Sequence, residues 1–190
     1  MPKFLPATQV QQMLDSCDRR TALGQRDYAM LLLMARLGLR CGEVAALTLE
    51  DFNWERSEFI VRGKGPRHEA LPLPQEVGAA LIAYLRHARP DCPARHVFVG
   101  FRAPHRRLFD GRSVDYVVKA ALKRAGLNPP FKGSHLLRHS LATNLLNQGA
   151  SLVEIGQLLR HPKQVTTQIY AKVDLRSLRP IALPWMGGAR

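Results

Sequence analysis

Tyr170 sits in HPKQVTTQIYAKV, the stretch from His161 to Val173, among polar and threonine neighbours where a core aromatic would have apolar ones. A phenol ionises near pH ~10, so it is a poor nucleophile unless nearby cations favour the phenolate. Arg40, Lys64, Arg138 and His161 are side chains able to supply that field. The same four suit a second task. Charge builds on the non-bridging oxygens of a phosphodiester as it becomes five-coordinate, and bidentate arginine geometry matches those oxygens.

Each of these residues also has a plainer reading. Arg40 emerges from the apolar stretch in ARLGLRCGEVAALTLEDF, with Glu43 three residues on. A guanidinium keeps its charge at any working pH and must be paired, so Arg40 is either half of an i,i+3 ion pair or a phosphate clamp. Lys64 lies between Gly63 and Gly65, either as a solvated surface lysine or as a flexible proton donor reaching into a cleft. In HLLRHSLAT, His135, Arg138 and His139 fall at i, i+3 and i+4 on one helical face. That face can be a structural cluster, a set of donors for an oxyanion, or a metal site with His161 as third ligand. A zinc-protease pattern needs Glu after the first His, and Leu136 stands there.

The elements that must position these residues are mostly helical. Pro2 and Pro6 make residues 1–7 a linker, and Thr8 predicts the cap of a helix reaching about Cys17. Arg26 to Leu37 is apolar nearly all round, as a central helix would be, and Gly38 ends it. A helix from Cys41 to Leu47 leads into short β-type runs at Leu47 to Phe52, Glu58 to Arg62 and Glu69 to Leu73. They predict a three-stranded antiparallel sheet with Gly63 to Pro66 as its second turn. Amphipathic spacing predicts a helix from Gln75 to Arg89; a basic loop with a short strand at His96 to Val99 follows, then a helix from Ser113 to Ala125. Ser134 is read as the cap of a helix that Gly149 closes, and Ser151 with Glu154 as a capping box for the next helix. The fold class is α+β, mainly helical.

At 190 residues, 46% of them apolar, the chain fits one domain with a real core. Twenty-eight Lys and Arg against fifteen Asp and Glu leave a formal charge of +13, which argues against an ordinary metabolic enzyme and for a polyanionic partner. The longest apolar run, Ala29 to Ala35, falls far short of the ~20 residues that a membrane-spanning helix needs. No export signal opens the chain, and its three cysteines (Cys17, Cys41, Cys92) form no zinc pattern. Both features predict a cytoplasmic protein with reduced thiols and no membrane partner.

Taken in order, these residues resemble the catalytic domain of the tyrosine site-specific recombinases of phage-integrase type, over roughly residues 8–173. In that family an Arg lies in a G-L-R-x-x-E segment, matched by Gly38 to Glu43, and an L-x-L-x-D run follows, matched by Leu47 to Asp51. A Lys lies in a hairpin turn, matched by Gly63 to Gly65; H-x-x-R-H matches His135 to His139, and a Leu-Leu-x-His run matches Leu158 to His161. The nucleophilic Tyr follows that His by nine residues, as Tyr170 does here. Two positions depart from the pattern: Arg160 stands where Gly is usual, and Leu136 where Asp is often found.

The resemblance implies the DNA breaking-rejoining fold. It also implies that Tyr170 attacks a scissile phosphate of double-stranded DNA, giving a 3′-phosphotyrosine and a free 5′-hydroxyl. Arg40, Arg138 and His161 would bind the phosphate oxygens, Lys64 would protonate the leaving oxygen, and His135 would assist proton movement or hydrogen-bond the phosphate. Glu43 would orient Arg40, and His139 would play a structural part. No metal, nucleotide or other cofactor is implied. Four protomers on two sites, a monomer off DNA, and a prokaryotic, nucleoid-associated location follow by the same analogy. The tail 174–190, apolar but with two prolines, is then a docking arm for a neighbouring protomer. Family members commonly carry an N-terminal helical clamp, whereas about seven residues precede the match here, as in a minimal enzyme or a fragment. The rival of a different class is a non-catalytic DNA-binding or regulatory module of the same fold.

Overall fold

α2 (Ala22–Leu37) runs through the centre of the computed structural model, which describes residues 4–62, 68–105 and 111–160. Ala29, Met30, Leu31, Leu32, Leu33 and Met34 have no exposed surface at all, so every face of this helix is covered. Its start lies earlier than the apolar run suggests, because the Thr21 hydroxyl accepts from the Gly24 N–H at 3.0 Å and caps it. Gly38 ends it at φ 62°, with its N–H turned back to the Met34 carbonyl at 3.1 Å and the Leu39 N–H to the Leu33 carbonyl at 3.4 Å.

Around α2 lie α1 (Ala7–Asp15), α3 (Cys41–Ala46), α4 (Gln75–His87), α5 (Gly111–Arg124), α6 (Ser134–Asn147) and α7 (Leu152–Leu158). α4 covers one flank and α6 another, with α1 and α5 closing against α2 and α6. Two helix starts differ from the sequence reading. Pro6, with its fixed φ, precedes α1 and Thr8 is already helical, while Gly133 precedes α6 and Ser134 is its first residue. At α7 the capping box is as expected: the Ser151 hydroxyl accepts from the Glu154 N–H at 3.2 Å, and the Glu154 carboxylate accepts from the Ser151 N–H at 2.8 Å. Leu5, placed in a linker by the sequence reading, is 1% exposed, and its N–H donates to the Ser140 hydroxyl on α6 at 2.8 Å.

The sheet is three-stranded and antiparallel, β1 (Phe52–Asn53), β2 (Glu58–Arg62) and β3 (His68–Pro72), with Phe59 opposite both Phe52 and Leu71. Period-2 alternation on β2 sends Phe59 and Val61 into the core and Ile60 and Arg62 outward. The run expected as a strand from Leu47 bends instead into a 3-10 turn at Leu49–Asp51. The Asp51 carboxylate causes this, accepting from the Thr48 N–H at 2.7 Å and the Thr48 hydroxyl at 2.9 Å. The same bend limits the strand expected at His96 to Val99 to one isolated bridge, Thr48 with His96. The turn predicted at Gly63 to Pro66 and the tail 174–190 lie outside the described residues. No helix among the described residues is long and apolar enough to cross a membrane.

Candidate active site

Arg40 is the residue at which the chain leaves the core. Leu39 is 1% exposed, whereas the Arg40 side chain is 40% exposed and opens α3. The Glu43 carboxylate reaches back one turn. Its Oε2 accepts from the Arg40 backbone N–H at 2.8 Å, and its Oε1 accepts from Arg40 Nη1 at 2.7 Å. The i,i+3 pair read from the spacing is therefore present, and it also satisfies an otherwise orphaned donor at the helix start. Glu43 is nearly buried, so it fixes the guanidinium from below while two-fifths of the Arg40 side chain stays accessible. Such an arginine is oriented and still open to an external oxyanion.

Arg138 is placed differently. It is 5% exposed, and its guanidinium donates to the carbonyls of Gly38, at 2.5 Å, and Leu159. One carbonyl belongs to the turn two residues before Arg40; the other ends α7, two residues before His161. Arg138 therefore fastens together the two segments that lead to these site residues. Gly38 makes the approach possible: a Cβ there would lie 2.6 Å from Leu159 Cδ2. On the same helix His135 is exposed and His139 half-buried, so the face predicted from i, i+3, i+4 spacing runs from solvent to core.

Arg160, which the sequence reading marks only as a departure, proves to be part of this network. It has φ 52°, in the left-handed region, which accounts for the glycine expected at that position. Its side chain is 7% exposed; Nη2 donates to Glu43 Oε2 at 2.9 Å, and Nε lies 3.7 Å from Glu69 Oε2 on β3. Burial alone would push the Glu43 carboxyl up. The Arg40 N–H, the nearby Arg160 charge and the Arg40 guanidinium outweigh it and hold the carboxyl below the usual glutamate range. Nothing in periodicity or motif order reveals these contacts of Arg160; the only signal is a long charged residue where a positive φ is needed.

A second carboxylate steadies the hairpin. Asp51, 5% exposed, receives Arg62 Nη2 at 2.8 Å in addition to Thr48, and this ties the end of β2 to the turn after α3. Arg62 pairs with His68 across the sheet, and the residues between them include Lys64. Lys64, His161 and Tyr170 lie outside the described residues. Among the described residues no group of three or more His, Cys, Asp or Glu is placed to hold a metal ion. What the structure brings together is Arg40, Glu43, Arg138 and Arg160, with His135 one turn away on α6.

A family profile described as "Phage integrase family" matches residues 3–176. A putative integrase/recombinase of Sinorhizobium fredii is 47% identical over 190 residues, covering 100% of this chain and 46% of its own length. Tyrosine recombinase XerD of Listeria innocua is 34% identical over 184 residues, covering 95% of this chain and 61% of its own length. The chain thus spans about half to three-fifths of the length of these curated relatives. Among solved structures, the XerA recombinase crystal structure superposes with a TM-score of 0.78 at 28% identity, covering 97% of this chain and 66% of that one.

Proposed function

The chain belongs to the phage integrase family, and from that premise we propose that it is the catalytic domain, residues 8–173, of a site-specific DNA recombinase acting through a 3′-phosphotyrosine. Tyr170 attacks the scissile phosphorus, and the leaving 5′-oxygen takes a proton from Lys64. Arg40, Arg138 and His161 neutralise the non-bridging oxygens, and His135 assists proton movement. Glu43 and His139 support them, and no metal or cofactor takes part. Attack by a partner strand's 5′-hydroxyl on the phosphotyrosine reverses the step. The partners are double-stranded DNA and three further copies of the chain on two sites, with a monomer off DNA, the tail 174–190 docking between protomers, and the bacterial nucleoid as the place of action.

The observation that supports this reading most is the fastening of three separate segments by Arg138. Arg138 holds the lead-in to Arg40 against the end of α7, and Glu43 holds Arg40 itself. Transition-state charge is met best by donors fixed in advance, and an Arg40 held by Glu43 yet 40% exposed fits that requirement.

The test is covalent capture on a pool of nicked duplexes of randomised sequence, in which the short 5′-hydroxyl strand diffuses away after cleavage and traps the adduct. The intact chain forms a protein-DNA band stable to denaturation, and Tyr170→Phe forms none. Arg40→Ala slows the reaction by about 100-fold, the usual scale for losing one fixed donor to a developing oxyanion. Arg40 is a cleaner probe than Arg138, whose removal leaves two carbonyls without their donor in the interior. Tight duplex binding with no adduct from the intact chain would instead support the non-catalytic module.

A further inference from the structure

We propose that Arg160 is a positioning residue for strand cleavage: its guanidinium latches the end of α7 onto the same Glu43 carboxylate that holds Arg40. The proposal rests on the recombinase reading above and deepens it. The family pattern calls for glycine at this place, and the backbone agrees, since φ is 52°. A side chain there works against the local backbone preference. This one is nevertheless 7% exposed and fully engaged, with Nη2 on Glu43 Oε2 at 2.9 Å, Nη1 3.4 Å from the Leu158 carbonyl and Nε facing Glu69 at 3.7 Å.

Glu43 therefore accepts three donors from two arginines, one on its own helix and one arriving from α7. With Glu69 of β3 on the far side of Arg160, the charges facing this carboxylate alternate across three elements. Withdrawing Arg160 removes one of the two cations that keep Glu43 ionised. It also releases the α7 end from everything on this side except Arg138 and apolar packing. The second effect loosens the α7 end relative to Arg40; the first weakens the hold on Arg40 as acidity rises.

Arg160→Gly and Arg160→Asn both suit a left-handed backbone, so neither threatens the fold, and Arg160→Lys keeps the charge. With a nicked duplex recovered by the intact chain from the randomised pool, Arg160→Gly and Arg160→Asn are expected to slow adduct formation about tenfold, with duplex affinity unchanged. Arg160→Lys recovers most of that loss. The acid limb of the rate moves to higher pH in the glycine variant. In a Glu43→Gln background Arg160→Gly adds no further loss, because the shared carboxylate is already gone. Adduct formation at the normal rate with an unmoved acid limb, or losses that simply multiply with Glu43→Gln, would overturn the latch. If the intact chain captures no duplex at all, the recombinase reading fails first. The latch is then judged from the 13C-labelled Glu43 carboxyl, whose titration must still shift upward in Arg160→Gly; an unmoved titration refutes it.

Discussion

Glu43 carries the clearest residue-scale consequence. Its folded carboxyl lies below the ordinary glutamate value despite burial, since Arg40 and Arg160 together outweigh desolvation. A carboxyl depressed on folding contributes stability that is complete above the unfolded value, about 4.3, and is lost as pH falls through the lower folded value. Glu43→Gln is therefore expected to cost about 1–3 kcal/mol at pH 7 and progressively less as the solution is acidified through that range. Urea unfolding at several pH values checks it; a gap between the two proteins that does not narrow in acid would contradict the assignment. This pairing was legible beforehand, because Arg40 and Glu43 stand at i,i+3. The bonds of Arg138 were not, since its two carbonyl partners lie 100 and 21 positions away.

At the scale of elements, the junction of α2, α6 and α7 sets how the segments carrying Arg40 and Arg138 meet. α7 packs on α6 through a small cluster of its own, Ala142, Ile155 and Leu159, separate from the main core around α2. Leu159 seats close to Gly38 there, beside the bonds made by Arg138 and Arg160. Gly38→Ala meets two obstacles at once: a φ of 62°, and a Cβ 2.6 Å from a Leu159 methyl that has no exposed surface. The expected cost is about 2–4 kcal/mol, read by denaturant unfolding, and a loss below about 0.5 kcal/mol would show that the junction is not tightly made. Gly38 as a helix stop and the apolar character of α2 could be read from the sequence. The 3-10 turn at Leu49–Asp51 could not, because β-type residues there are overruled by one carboxylate bonding to Thr48.

For the whole molecule the governing quantity is charge. With a formal charge of +13, the proposed grip on duplex DNA is expected to act chiefly through phosphates. Affinity for an arbitrary duplex is expected to fall about 100-fold between 50 and 200 mM salt, as displacement of counterions from roughly four phosphates requires. Fluorescence anisotropy with a labelled duplex measures it, and a nearly flat salt dependence would argue against a backbone-gripping surface. The basic balance and the resemblance to the family were visible in the sequence, and the family match over residues 3–176 agrees with the latter. How separate helices meet is a matter of packing and had to come from the structure. The central claim is that a phenol becomes joined to DNA, and mass spectrometry reads this directly. After capture on a nicked duplex and digestion with trypsin and nuclease, the peptide Gln164 to Lys172, whose single tyrosine is Tyr170, should carry a nucleotide 3′-phosphate on that tyrosine. A captured duplex attached to any other residue, or a Tyr170→Phe chain that still captures DNA, would contradict the account.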